Sequence, residues 1–536
     1  MDRRQILKYS FLFIILIVSV WLFGRTEEGP GGIAVRTDRE DGGKEREIKF
    51  DLEVVPGNFY MPGTIPMGIG DPLHGFSDVA CKFEELFPDT RITLRSVPGV
   101  REWLVTQLSS GQAPDVVMVN VEDVWQDTQK GWYIPLDEFL EKPNPFVDKG
   151  EPGSRQWWDM FKYQAVTRGK AAPDGKQYCF SLDMVETGIY YNKDIFRKVG
   201  VEVPKTWEEF LEIQKKIQDA GYIPFLTVTG AYADWGVDLI FDQLYYEILP
   251  GIDLLQDPLR EQYLEGYLDW DEICFLHSKG FFTRQDPRYV EMWKLMKEWR
   301  RYWNKDLGAT DRMRLFVNQD GAMMWDGSWS VQKLARDPEI EFDWGVFYLP
   351  PMTKETSPYA CGVDMCVIGG VAMQYEVTNR AISDTGDPTT SERLQRVIQF
   401  LQFLSLPENV DLIVNETLAF LPNIVGVPVQ PELQPFDDIL QRRYTTTKWI
   451  FTFDLRFNEI QSRMLEFYLN DGTDFDGFMD WIENNNDQAI SNIERRKDLD
   501  FTEIERRWKE LAPVRAGMRD LPPEPAFPRP EEGPES

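Results

Sequence analysis

At 536 residues the chain is too long for one ordinary domain of about 100–200 residues, and 42% hydrophobic and 13% aromatic content excludes a wholly disordered chain. A formal net charge of −31 repels phosphate backbones, which excludes nucleic acid as a partner. The two histidines, His74 and His277, have no HExxH or CxxC near them, which argues against a Ser-His-Asp hydrolase or a His-ligated zinc site; no metal and no cofactor is expected.

Taken in chain order, Arg3, Arg4 and Lys8 precede an uncharged apolar run from Tyr9 to Gly24, the pattern of an export signal with its positive end inside. Neither an A-x-A site nor a cysteine follows the run, so an uncleaved anchor at residues 1–24 is favoured over a removed signal. Residues 25–47 are charged and Gly-rich without an apolar period and read as a flexible tether.

The folded body then opens on a strand in which Ile48, Phe50, Leu52 and Val54 alternate, ended by Pro56-Gly57. Phe76, Val79, Ala80, Phe83, Leu86 and Phe87 fall on one face of a helix. The strand RITLRSV, a helix around Trp103 to Leu108 and the buried strand DVVMVN (Asp115 to Asn120) follow. This alternation of strand and helix predicts a doubly wound α/β lobe.

Thr206 and Glu209 predict a capping box at a helix start. The second half mixes helices, such as Arg393 to Leu406, with short strands around Trp344 to Leu349 and Asp364 to Ile368. Residues 513–536, rich in proline and glutamate, read as a disordered tail. Of the cysteines Cys81, Cys179, Cys274, Cys361 and Cys366, the odd count leaves at least one unpaired in a monomer. Cys361 and Cys366 either cross-link in an oxidising compartment or are small buried residues.

Several blocks carry a family resemblance. They are GQAPDVVMVNVEDVWQDTQKGWYIPLDEFL (Gly111 to Leu140), GIYYNKDIFRKVGVEVPKTWEEF (Gly188 to Phe210), FVNQDGAMMWDGSW (Phe316 to Trp329) with FDWGVFYLP after it, and FLQFLSLPENVDLIVNETLAFLPN (Phe400 to Asn423). In order and spacing the chain resembles family 1 extracellular solute-binding proteins of ABC transporters, the carbohydrate-binding, maltose-binding-protein-like type.

The resemblance implies a periplasmic-binding-protein-like fold of two α/β lobes joined by hinge strands, with the ligand cleft between them. Lobe 1 is then 48–162 plus 362–427, and lobe 2 is 163–361 plus 428–512. The chain departs from the family in the loop PGNFYMPGTIPMGIGDPLHG after the first strand and in an insert around Ala381 to Thr390.

Sugar recognition needs flat aromatic faces for the C–H side of a pyranose and planar polar groups for its hydroxyls. Asn120, Asp123 and Trp125 follow a strand directly, where α/β lobes place ligand contacts; helix capping by Asp123 and packing of Trp125 are the structural alternatives. The resemblance adds Asp183 and Glu186 at the crossover between lobes, with surface ion pairing as the alternative for each. It adds Tyr232 and Trp235 from GAYADWG and, above all, Trp329 of the G-x-W motif, as stacking residues; core packing is the alternative for all three. Gly362 and Asp364 complete the expected lining.

The function implied is an exported binding protein at the periplasm or outer face of the cytoplasmic membrane. It takes up a mono- or oligosaccharide and delivers it to ABC permease subunits, with the N-terminal segment in the membrane, and it is no enzyme. The rival readings are a carbohydrate-binding sensory or scaffold module and a glycosidase using two carboxylates.

Overall fold

The computed structural model describes residues 26–29, 32–36 and 47–523, apart from 98–99, 120–123, 125–126, 165–167, 169–170, 173, 257–265, 308–310, 368–369, 446–457 and 498–500. The chain forms two α/β units. Met1–Val185, Ser328–Asp337 and Gly370–Gln434 make the first, and Glu186–Gly327, Pro338–Gly369 and Pro435–Ser536 the second. These bounds differ from the expected lobes: residues 163–185, 328–337 and 428–434 group with the first unit, and 362–369 with the second. The expected segment 1–24 lies outside the described residues.

In the first unit, alternation within Phe50–Val54 buries Phe50, Leu52 and Val54 and turns Asp51 outward. The strand pairs in parallel with Thr90–Ser96, from Phe50 opposite Thr90 to Val54 opposite Leu94. Parallel neighbours need a crossover, and the helix Gly75–Leu86 supplies it, burying Phe76, Val79, Ala80 and Phe83 along one face. Phe76, Val79 and Phe83 each contribute about 1.5–3 kcal/mol on full burial.

The sheet runs Thr26–Gly29, Gly32–Arg36, Thr90–Ser96, Phe50–Val54, Val116–Met118, Tyr375–Val377, Cys179–Phe180. Buried Asp115, just before the central strand, receives two 2.7 Å hydrogen bonds from Arg393 and one of 2.9 Å from Glu53 N. That bidentate pair fastens the helix Glu392–Leu404 to the sheet.

In the second unit a sheet ordered Trp344–Phe347, Thr187–Asn192, Gly321–Gly327, Ile223–Leu226 supports a helical layer. The helix Trp207–Asp219 begins as predicted: Thr206 Oγ1 accepts from Glu209 N at 3.3 Å, and Glu209 accepts from Lys205 N at 2.7 Å, one residue before the cap. Its inner face carries Trp207 and Phe210 onto Trp299, at centroid distances of 5.2 and 5.7 Å, and Trp299 Nε1 donates to Gln214 Oε1 at 3.1 Å. Much of the chain's tryptophan is therefore core: Trp157, Trp207, Trp293, Trp299 and Trp325 are fully buried.

Two expectations are corrected. Within the expected tether 25–47, Thr26–Gly29 and Gly32–Arg36 form an antiparallel hairpin whose second strand pairs with Thr90–Ser96, Ile33 opposite Ser96 and Val35 opposite Leu94. The alternating Ile33 and Val35 were outweighed, in a reading by composition, by the surrounding charge and glycine.

The expected disordered tail 513–536 is ordered through Pro523. A turn at Ala512–Arg515 buries Arg515, whose guanidinium lies 3.3 Å from the Trp508 ring centre and donates to Gly251 O at 3.0 Å. Arg288 then donates to the carbonyls of Asp520 and Arg519 at 2.9 and 3.1 Å. Cationic donors aimed at backbone oxygens hold a segment that has little apolar surface to bury.

Ending the chain at Leu511 removes these partners and leaves the buried Arg288 guanidinium short of acceptors. We expect a loss of about 2–4 kcal/mol in unfolding free energy, read by urea titration; a midpoint equal to that of the full chain would show that the docked tail contributes nothing.

Candidate functional site

Asp183 ends the turn into the short strand Asp183–Met184, which pairs with Leu421–Pro422. Its carboxylate is fully buried, and all its hydrogen-bond donors lie within the first unit. Oδ1 accepts from Ala372 N at 3.0 Å, Met373 N at 3.1 Å and Ser181 Oγ at 3.1 Å, and Oδ2 accepts from the Tyr60 hydroxyl. The surface ion pair does not describe this group, which is buried and serves as an internal anchor.

Tyr60 belongs to the loop that departs from the family pattern, and nothing in its residue type set it apart from other tyrosines. Through it the loop is tied down at one end. At the other, His74 N and Gly75 N donate to the Glu416 carboxylate at 2.9 Å each, and Gly63 N donates to Leu73 O across the base at 2.8 Å.

Trp329 lies in the single turn Ser328–Ser330, half-buried, packed against the core of the first unit and followed by the helix Val331–Arg336. The residue is not sealed in the core, which stacking on a ligand requires. Asn120, Asp123 and Trp125 lie outside the described residues.

In the second unit Tyr232 and Trp235 share the turn Ala231–Gly236 but part company. Tyr232 is fully buried, its ring 4.8 Å from that of Trp303 at 31°. Trp235 is half-buried, 5.7 Å from buried Trp325. Asp326, next along that strand, accepts from Arg312 Nη2 and from Gly327 N, both at 2.9 Å, so its charge is compensated inside the unit.

Gly362 and Asp364 are exposed; Asp364 pairs with Arg442 at 3.5 Å. Cys361 and Cys366 are not cross-linked to each other. Among the described residues no group of His, Cys, Asp and Glu is arranged to hold a metal ion. Of the expected site residues, then, Trp235 and Trp329 are half-buried, Gly362 and Asp364 are exposed, and Asp183, Glu186 and Tyr232 are buried.

The model of the bacterial extracellular solute-binding protein family matches residues 72–410. Curated relatives include the multiple sugar-binding protein of Streptococcus mutans serotype c, 22% identical over 270 residues, 50% of this chain and 57% of that protein. The sn-glycerol-3-phosphate-binding periplasmic protein UgpB of Rhizobium meliloti is 28% identical over 162 residues, 28% of this chain and 35% of that protein. The matches thus span between about a third and three fifths of these relatives' lengths.

Among solved structures, apo RafE from Streptococcus pneumoniae superposes with a TM-score of 0.56 at 18% identity, covering 84% of this chain and 99% of that one. A chitin oligosaccharide binding protein gives 0.57 at 17%, covering 83% and 99%. Both likenesses are of fold.

Glu186, three residues after Asp183, is buried under different terms. Oε1 accepts from Thr187 N at 2.7 Å and Thr187 Oγ1 at 3.3 Å, while Oε2 has no hydrogen-bond partner among the described residues. Burial pushes its carboxyl up to about 8, against the opposing pull of the Thr187 bonds and of Arg442. Burial likewise lifts Asp183 to about 6, against the Tyr60, Met373 and Ser181 hydrogen bonds.

Both folded values lie above the ordinary carboxylate range, so the native state holds these protons more tightly than the unfolded chain. Their contribution to stability is full below the unfolded value and is lost as pH rises through the folded one. For Glu186 the loss spans roughly pH 4.5 to 8. We expect Glu186→Gln to flatten the decline in stability across that window and to exceed the unsubstituted chain by about 2–4 kcal/mol at pH 9. Denaturant titrations at pH 5, 7 and 9 check this; parallel curves for the two chains would refute it.

Proposed function

Because the chain belongs to the bacterial extracellular solute-binding protein family, we propose that it captures a mono- or oligosaccharide outside the cytoplasmic membrane and delivers it to the permease subunits of an ABC importer. It acts as a binder and not as a catalyst, and residues 1–24 hold it at the membrane. The observation that carries the reading is Trp329, a half-buried tryptophan directly after Gly327-Ser328, on a turn packed against the core. The accessible part of Trp235, supported from behind by Trp325, offers a second aromatic surface.

The sugar-binding name of one relative and the chitin oligosaccharide named for one structural neighbour support this ligand class. A phosphorylated polyol, the ligand in the name of the UgpB relatives, fits less well: net charge is −31 and the Arg312 guanidinium is already committed to Asp326 and Trp325 O. The glycosidase reading has less to support it, since no pair of carboxylates in the sequence falls in an acid/base motif.

Calorimetry on the full chain with raffinose, chitin oligosaccharides, galactose and sn-glycerol-3-phosphate tests the reading. A saccharide is expected to bind, and Trp329→Ala to weaken it by about 2–4 kcal/mol, the range for a desolvated aromatic anchor. Trp329→Phe should lose less. Unchanged affinity in a folded Trp329→Ala protein would remove Trp329 from the site, and binding of the glycerol phosphate alone would replace the ligand class.

A further inference from the structure

We propose that the loop between Pro56 and His74 is a positioning element for Trp329, and that Gln332 is the residue through which it acts. The inference rests on the reading of Trp329 as the ligand-stacking residue and adds a determinant of how that ring is presented. The segment Ser328–Asp337 is continuous at both ends with the second unit, yet it packs as part of the first. Something must hold it there, and the helix Val331–Arg336 is only six residues long.

Gln332 supplies the hold. Its side chain is 1% exposed, and Nε2 donates to Pro66 O at 3.1 Å and to Ile69 O at 2.7 Å. Two donors of one amide thus meet two carbonyls of one turn, a geometry that fixes direction as well as distance.

The turn is built to present those carbonyls. Met67 takes a left-handed φ of 55°, unusual for a residue with a side chain, and Gly68 and Gly70 follow with φ of 73° and 106°. Gly68 N donates to Ile65 O at 3.0 Å and Ile69 N to Pro66 O at 3.3 Å, closing the bend. Gly70 lies directly under the helix: a Cβ there would stand 3.0 Å from Arg336 Nη1 and 3.6 Å from Gln332 Nε2. At its far end the loop is bonded through Tyr60 to buried Asp183. A chain of hydrogen bonds therefore runs from Asp183 through the loop to Gln332, one turn after Trp329.

The apolar packing of the helix, through Val331 and Leu334, does not depend on the amide. Removing the amide should loosen the turn that carries Trp329 and leave the core in place. The test uses the full chain labelled with 5-fluorotryptophan, with the Trp329 fluorine signal assigned by its loss in Trp329→Phe.

Gln332→Met keeps the length of the side chain and removes both donors; Gln332→Ala removes the side chain beyond Cβ. In each, the Trp329 signal is expected to shift or broaden while the signals of the buried tryptophans hold and unfolding stays a single cooperative transition, at a somewhat lower midpoint because two buried carbonyls lose their donors. Raffinose binding should weaken roughly tenfold, a part of what a misplaced aromatic anchor loses.

An unmoved Trp329 signal in both variants overturns the proposal. So does global unfolding of both, which would make Gln332 a structural residue only, and so does a moved signal with unchanged raffinose affinity. If the unsubstituted chain does not bind raffinose, the fluorine signal alone decides the positioning role, and the failure belongs to the choice of saccharide.

Discussion

A single buried carboxylate organises the first unit. Asp183 gathers the Tyr60 hydroxyl, the Ser181 hydroxyl and the amides of Ala372 and Met373, from three stretches of chain more than a hundred residues apart. Desolvating a carboxylate costs several kcal/mol even after relaxation, and only a near-complete set of donors offsets it. Each segment is thereby held to a short radius from one point. The bridge between Val185 and Gly370 follows at once, with hydrogen bonds of 2.7 and 3.1 Å, beside two of the places where the chain passes between units.

Glu186 lies in the second unit and meets the same problem with fewer donors. Two bonds from Thr187 serve one oxygen, so the group retains its proton to a much higher pH than Asp183 does. Nearby Tyr348 and Cys366 are themselves pushed up by burial and by the Glu186 charge, in that order. Such surroundings favour the neutral carboxyl over the ionised one. Polarity buried this close to the points of passage adds direction to packing that apolar side chains alone leave adjustable.

Regular structure was legible wherever one physical signal dominated. Period-two alternation located the strand at Phe50–Val54, an apolar face located the helix Gly75–Leu86, and a side-chain cap marked the start of Trp207–Asp219. Strand and helix alternation, with the family blocks, pointed to the α/β class. The fate of polar groups was not legible, because an acidic residue in sequence carries no sign of its donors: Asp183 is answered by a tyrosine 123 positions earlier and by amides 189 and 190 later. Tyr232 and Trp235 illustrate the same limit within one turn, since only the folded backbone decides which ring faces inward. The tail escaped because backbone carbonyls, the groups that Arg288 and Arg515 grip, are present at every residue and mark none.

The amino-terminal hairpin also changes how molecules of this chain meet one another. Without it, the seven-residue strand Thr90–Ser96 would end the sheet and offer a row of open amides and carbonyls to any similar strand. With it, the outermost strand is Thr26–Gly29, four residues of which two are glutamates. Short length and like charge both oppose edge-to-edge pairing of copies. A chain shortened to begin at residue 47 would keep Trp329, Asp183 and every helix of the first unit, and its defect would appear as self-association during refolding rather than as a lost ligand contact.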